Sequence, residues 1–213
     1  MKHILCFGDS NTWGYIPASG ARYDEHVRWT GVLADALGAS FRVHEDGLNA
    51  RTSVFDSPFK PFLNGMPALQ TALWAQKPLD ALVLSLGTND LKTWDAARSA
   101  AGVGALVAMA QSMDSLYPSS TPVFRDRKRI LVISPILVGD WLSRIDPDSD
   151  LAGAAEASRA FPRHFATMCA SLGVDMLDAQ TIAAPSREDA VHMTPEGHRA
   201  LGLAVADWVH RAL

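Results

Sequence analysis

The sequence predicts an α/β protein built on an open, doubly wound parallel sheet of five strands. Short apolar segments alternate along the chain with longer segments that have helical periodicity. Strands that alternate with helices are joined by crossover connections, and these produce parallel pairing. The 213 residues suffice for one domain with a sizeable core and are few for two, so we expect a single domain over residues 1–213.

Five segments are candidate strands. Four of them are short, largely apolar on both faces and followed by Gly, Asp, Asn or Pro, which is typical of buried parallel strands. These four cover residues 4–7, 81–86, 130–134 and 174–177. Residues 41–45 are more polar, so we place this strand at an edge of the sheet.

Helical patterns fill the intervals between these strands. The interior helices are predicted over residues 27–37, 68–76, 96–116 and 151–172. Gly38 and Gly173 follow two of them and suit a helix C-terminus. The last helix begins after Thr194, a capping residue that is followed by proline. Two loops, residues 15–26 and 139–150, are long enough to be binding loops or contact surfaces.

Composition narrows the function classes. The formal net charge of −4 argues against a nucleic-acid partner, because such a partner requires a basic surface. No run of about 18 apolar residues occurs, so no membrane span is predicted. The N-terminus is too brief for a signal peptide, and the pattern around Cys6 and Cys169 favours free buried thiols, so we expect a cytoplasmic protein. Metal and nucleotide motifs do not occur, so no cofactor and no metal are expected.

Three polar segments follow predicted strands, at the edge where open parallel sheets bind ligands. Gly-Asp-Ser at residues 8–10 follows the first strand, Asn-Ala at residues 49–50 the second, and Gly-Thr-Asn-Asp at residues 87–90 the third. A serine hydroxyl is a poor nucleophile until a base removes its proton. Asp189 and His192, three residues apart before the last helix, supply such a base with a carboxylate that fixes its tautomer.

We therefore predict a catalytic triad of Ser10, His192 and Asp189. The oxyanion hole that acyl transfer needs is predicted from the N–H groups of Ser10 and Ala50 and the amide of Asn89. Each segment alone would more often be a turn, because Gly, Asp, Ser and Asn are turn formers. Their joint occurrence at strand ends and at a helix start, in the required order, favours the catalytic interpretation.

Four further side chains receive predictions. Trp13, three residues past the nucleophile, is expected to form a wall of the substrate pocket. Trp29 is expected in the core. His198 and His210 are expected on the surface of the last helix.

The polar segments resemble the four blocks of the SGNH (GDSL-like) hydrolase family, which are a GDS nucleophile motif, a glycine block, a G-x-N-D block and a D-x-x-H block. They occur in the right order over nearly the whole chain. More narrowly, residues 6–14, 27–33 and 47–52 resemble the bacterial arylesterase branch. That branch carries alanine where most of the family has glycine, as this sequence does at Ala50.

The resemblance implies a three-layer, flavodoxin-like fold and oxyanion-hole roles for Ser10, Ala50 and Asn89. It also suggests a homo-oligomer, with the octamer of the arylesterase branch as one form. The loop of residues 139–150, which carries Trp141, is expected to contact a neighbouring subunit and to help wall the active-site entrance. The alternative is that Trp141 folds onto its own domain.

We expect a cofactor-free serine carboxylesterase that hydrolyses small short-acyl esters through an acyl-serine, with acyl transfer to alcohols as a further outcome. Ala50 and Trp13 would keep the acyl site shallow. Two alternatives stay open at this point. One is a carbohydrate O-deacetylase with the same triad, and the other is a catalytically silent module that holds a small anion near Ser10.

Overall fold

A single parallel sheet organises the protein. A computed structural model describes residues 1–57 and 60–213. The strands are β1 (Lys2–Gly8), β2 (Phe41–Gly47), β3 (Ala81–Ser85), β4 (Ile130–Ser134) and β5 (Asp175–Asp178). All pairs are parallel, and the spatial order is β2-β1-β3-β4-β5. This is the strand order of flavodoxin-like folds, so the predicted fold class is confirmed.

Helices cover both faces of the sheet. They are α1 (Ser10–Trp13), α2 (Trp29–Leu37), α3 (Gly65–Gln76), α4 (Ala96–Leu116), α5 (Leu142–Ile145), α6 (Ala154–Ser158), α7 (Phe161–Leu172) and α8 (Pro195–Ala212). Within the described ranges, no helix combines the length and the apolar character that a membrane crossing requires.

The interior strand β1 shows how the layers form. Side chains alternate between the faces of a strand, so Ile4 and Cys6 pack against α2 and α8, whereas Leu5 and Phe7 pack against α3, α4 and α7. Trp29 is fully buried in the α2–α8 layer, as predicted. Each fully buried side chain of this size contributes about 1.5–3 kcal/mol to folding. The two apolar layers therefore hold the carboxyl ends of the strands in fixed positions.

The helix predicted over residues 151–172 is divided into α6 and α7. Pro162 lies in the first turn of α7. Proline has no backbone N–H to donate to a preceding turn, so it interrupts a helix interior but is tolerated in a first turn. The chain consequently ends one helix before this proline and begins another.

The segment predicted as a fourth buried strand is instead a half-exposed edge strand. It forms β5, which pairs with β4 on one side only. Two aspartates bound its apolar pair: Asp175 accepts the indole N–H of Trp208 in α8 at 2.8 Å, and Asp178 accepts the backbone N–H of Gln180 at 3.0 Å. Cys6 and Cys169 are both buried free thiols, as predicted. Burial raises the pKa of Cys169 to about 11, with a smaller contribution from Asp175.

His198 is fully buried, so its predicted surface position is wrong. Its Nδ1 accepts a hydrogen bond from the backbone N–H of Trp29 at 3.3 Å. The first N–H groups of a helix lack partners within that helix, so this imidazole from α8 caps α2. Burial, with smaller effects from the charges of His192 and Arg28, lowers the pKa of His198 to about 4. The imidazole is therefore neutral, as an acceptor at Nδ1 must be.

Candidate active site

The turn after β1 carries Ser10 to the carboxyl edge of the sheet. Gly8 is required there, because a Cβ at this position would lie 2.0 Å from the hydroxyl of Thr12. The carboxylate of Asp9 accepts the N–H of Asn11 at 3.0 Å and so caps α1. Gly14, with φ +89°, ends this one-turn helix in the left-handed conformation. The serine is thus held on a tight and well-determined turn.

Two hydrogen bonds join Ser10, His192 and Asp189. The hydroxyl Oγ of Ser10 lies 2.8 Å from Nε2 of His192. Nδ1 of the same imidazole lies 2.6 Å from Oδ2 of Asp189. The structure therefore brings together, in one chain of contacts, the three side chains that the sequence analysis assigned to a triad.

The loop around Asp189 fixes this carboxylate. Its Oδ1 accepts the backbone N–H groups of Val191 at 3.0 Å and His192 at 2.9 Å. Burial alone would raise the pKa of Asp189, but hydrogen bonds and the charge of His192 outweigh it and lower the pKa. An ionised carboxylate only accepts hydrogen bonds, so Nδ1 of His192 carries its hydrogen and Nε2 is left as an acceptor facing the hydroxyl of Ser10.

Asn11 links the turn that carries Ser10 to the loop that carries His192. The sequence analysis gave Asn11 no role. Its Oδ1 accepts the N–H of Met193 at 3.0 Å, and its amide nitrogen lies 3.4 Å from the carbonyl oxygen of Val191. These contacts flank His192 on both sides in the chain. The only sequence signal for this role is that Asn11 directly follows the serine.

The three residues predicted to form the oxyanion hole line one cavity. They are Ser10, Ala50 and Asn89. Ala50 has φ +63° in a turn closed by the N–H of Arg51 donating to Leu48 at 3.1 Å. Asn89 donates one amide hydrogen to the carbonyl oxygen of Arg51 at 3.1 Å. A side-chain amide has two hydrogens, so this contact leaves one of them for another acceptor.

Arg51 holds this turn against β1. Its guanidinium donates to the carbonyl oxygens of Gly8 at 3.0 Å and Asp46 at 2.7 Å, and it lies 4.0 Å from the ring centre of Phe7. A left-handed alanine is an uncommon, slightly strained conformation that persists only when its surroundings impose it. The buried arginine supplies that constraint for Ala50.

Asp90 connects the loop after β3 with the segment that follows Ala50. Its carboxylate accepts the N–H of Ser53 at 2.9 Å and the hydroxyls of Ser53 at 2.8 Å and Ser99 at 3.0 Å. Burial raises the pKa of Asp90 to about 6 in spite of these hydrogen bonds. The sequence analysis placed Asp90 in the G-x-N-D block without giving it a role, and it did not single out Arg51, because the roles of both residues depend on long-range contacts.

The cavity beside Ser10 has a volume of about 460 Å³. Trp13 is not among its lining residues, so the predicted pocket wall at this position is not supported. Its ring instead lies under the guanidinium of Arg22, at 5.2 Å. Tyr15, two residues further on, lines the cavity in its place.

The loop of residues 139–150 contributes Leu142 and Ile145 to the lining of this cavity. Trp141 is partly buried and packs against the core of its own chain, which is the alternative considered above. Among residues 1–57 and 60–213, no group of three or more His, Cys, Asp or Glu side chains is placed to hold a metal ion.

The chain was compared with known protein families, curated sequences and solved structures. A model of the GDSL-like lipase/acylhydrolase family matches residues 6–200. A search of curated protein sequences found no match. Solved structures do match over the full length of the chain.

The native aryl esterase of M. smegmatis is 34% identical, covers 100% of both chains and superposes with a TM-score of 0.89. Est24, a carbohydrate acetylesterase from Sinorhizobium meliloti, is 30% identical, covers 100% of both chains and has a TM-score of 0.89. A carbohydrate acetylesterase family member from the same organism is 31% identical, covers 100% of this chain and 99% of its own, and has a TM-score of 0.91. The chain belongs to the GDSL-like lipase/acylhydrolase family and is a serine ester hydrolase.

Proposed function

We propose that this chain is a carboxylesterase that hydrolyses small, short-acyl esters through an acyl-Ser10 intermediate. The observation that carries the proposal is the continuous chain of contacts from Ser10 through His192 to Asp189, at 2.8 and 2.6 Å. It supplies a nucleophile, a base and an orienting carboxylate in the order that acyl transfer requires.

In the proposed mechanism, Oγ of Ser10 forms a bond to the carbonyl carbon while its proton passes to Nε2 of His192. The electron pair of the carbonyl moves to the oxygen, which receives hydrogen bonds from Ser10, Ala50 and Asn89. His192 then returns its proton to the departing alcohol as the ester bond breaks. Water attacks the acyl-serine in the reverse sense, and an alcohol in place of water would give acyl transfer.

Asn89→Ala is expected to lower kcat by about 10²–10³-fold with little change in KM, because an oxyanion donor acts mainly in the transition state. Steady-state kinetics with p-nitrophenyl acetate measure this. Asn89→Asp is the matched control, since it keeps the side-chain shape but replaces the donor with an acceptor. If Asn89→Asp keeps the activity of the wild type, the side chain serves packing and not the oxyanion.

The acyl site is expected to be short. The methyl group of Ala50 and the ring of Tyr15 both border the cavity beside Ser10. A methylene group gains about 0.8 kcal/mol only where apolar surface can bury it, and overpacking reverses the gain. Acetate and butyrate esters should therefore exceed octanoate in kcat/KM.

A series of p-nitrophenyl esters of increasing acyl length measures this preference. Ala50→Gly removes the methyl group and should move the optimum towards longer chains while keeping the N–H donor. A kcat/KM that continues to rise through octanoate in the wild type would contradict the short acyl site.

Carbohydrate O-deacetylation is the second candidate activity. A groove of about 540 Å³ adjoins the catalytic cavity and shares Ala50 and Asn89 with it. Its walls combine the aromatic side chains of Phe55 and Trp94 with the polar side chain of Asp56. Aromatic surface with polar neighbours suits a sugar ring, so acetylated monosaccharides belong in the substrate panel beside phenyl acetate. The silent anion-binding module is set aside, since the chain is a serine ester hydrolase.

We also propose a homo-oligomer, with an octamer as one form, and a cytoplasmic location. Ile145 lines the cavity and is 47% exposed, which supports a contact between subunits there. The free thiols of Cys6 and Cys169 support a reducing compartment. No nucleic acid and no membrane is proposed as a partner.

A further inference from the structure

The ring of Tyr15 lies flat against the imidazole of His192. The ring centres are 4.1 Å apart, and the planes differ by 26°. The sequence analysis assigned no role to Tyr15. The hydrogen bonds of the His192 imidazole engage its two ring nitrogens at the ring edge, so the stacked ring of Tyr15 is a separate contact on the face of the imidazole.

The backbone that places Ser10 also places Tyr15. Tyr15 directly follows Gly14, and its N–H donates to the carbonyl oxygen of Ser10 at 3.0 Å. An antiparallel bridge pairs Tyr15 with Arg22, and the N–H of Tyr23 donates to Gly14 at 2.8 Å. The nucleophile and the stacked ring therefore belong to one hydrogen-bonded turn.

The imidazole is attached through its Cβ–Cγ bond, and rotation about that bond would swing Nδ1 away from Asp189 and Nε2 away from the hydroxyl of Ser10. A ring stacked on the face of the imidazole opposes it. The face of an aromatic ring also carries negative potential and attracts a cation.

We propose that Tyr15 is a positioning residue that fixes the imidazole plane and stabilises the imidazolium form of His192. The inference rests on the proposed function. In that reaction the O–H bond of Ser10 breaks, its proton forms a bond to Nε2, and the positive charge persists until the proton leaves with the alcohol. The face of the Tyr15 ring carries negative potential and is in place before the positive charge develops on His192. It therefore favours the imidazolium over the neutral imidazole.

Three variants test this inference. Tyr15→Leu removes the aromatic face, and Tyr15→Phe keeps it. Tyr23→Leu is the matched control, since Tyr23 contacts a different histidine, His198, edge-on at 5.2 Å and 75°. Each variant is assayed for kcat and KM with p-nitrophenyl acetate and for the saturating rate of labelling by a small fluorophosphonate, which requires an activated serine but no acyl pocket.

Tyr15→Leu is expected to lower both kcat and the labelling rate by about 3- to 30-fold, with KM changed by less than about twofold. Tyr15→Phe should restore both rates, and Tyr23→Leu should leave them unchanged. A side chain that is only a cavity wall would instead alter KM and the acyl-length preference and leave the labelling rate intact.

Rates for Tyr15→Leu that equal those of the wild type would overturn the inference. Equal losses in Tyr15→Phe would also overturn it, because they would assign the effect to the hydroxyl. Thermal unfolding shows whether Tyr15→Leu folds, and Tyr15→Met replaces it if it does not. A wild type that neither hydrolyses the ester nor reacts with the probe would refute the proposed function itself, which is a different result.

Discussion

Ser10→Ala is expected to lower kcat for p-nitrophenyl acetate by about 10⁴-fold or more while the protein stays folded. The hydroxyl is the only atom group removed, and its contact is the hydrogen bond to Nε2 of His192. Loss of one such hydrogen bond costs about 1 kcal/mol of stability, which is small beside the loss of the nucleophile. Steady-state kinetics and thermal unfolding of the same preparation separate the two effects.

Ser134→Ala is the matched control for this substitution. Ser134 is also a buried serine at the carboxyl end of a parallel strand, and its hydroxyl has no hydrogen-bond partner among the described residues. This variant should keep the activity of the wild type. Substantial ester turnover by folded Ser10→Ala protein would refute the assignment of the nucleophile.

Asp189→Asn is expected to lower kcat by about 10⁴-fold, by analogy with other Ser-His-Asp enzymes. The carbonyl oxygen of an asparagine can still accept the N–H groups of Val191 and His192, so the loop keeps its shape. Its amide group, however, would donate to Nδ1 of His192. The proton would then reside on Nε2, which could no longer accept the proton of Ser10.

The chain offers a control with the same pair of residue types. Asp35 lies 2.9 Å from Nδ1 of His26 on the surface, and both side chains are exposed. Asp35→Asn makes the same change in this surface pair and should leave kcat unchanged. If folded Asp189→Asn retained more than about a tenth of wild-type kcat, the orienting role of Asp189 would be contradicted.

The sequence predicted the structure best where a local pattern of residue types suffices to indicate an element. Uninterrupted apolar runs predicted the buried strands, and strand ends located the polar segments around Ser10 and Asn89. Pro162 was a visible signal for the break between α6 and α7, but the periodicity on either side of it concealed the break.

Residues that act through distant contacts could not be identified in this way. His198 has the polarity and spacing of a surface residue in α8, and only the packing of α8 against α2 makes it the cap of Trp29. Arg51 and Tyr15 likewise gain their roles from the folding of separate loops onto one edge. Trp13 and Tyr15 are two residues apart, and the direction of each side chain depends on how α1 ends at Gly14.

The hydrogen bond between Ser10 and His192 joins residues 182 positions apart in the chain. Ser10 emerges from the ribosome early in synthesis, whereas His192 emerges only after all five strands have been made. We therefore expect the growing polypeptide not to react with esters until Ser10 and His192 meet. Reactivity with a serine-directed probe would then report the completion of folding, and it could be used to time that event on arrested nascent chains of increasing length.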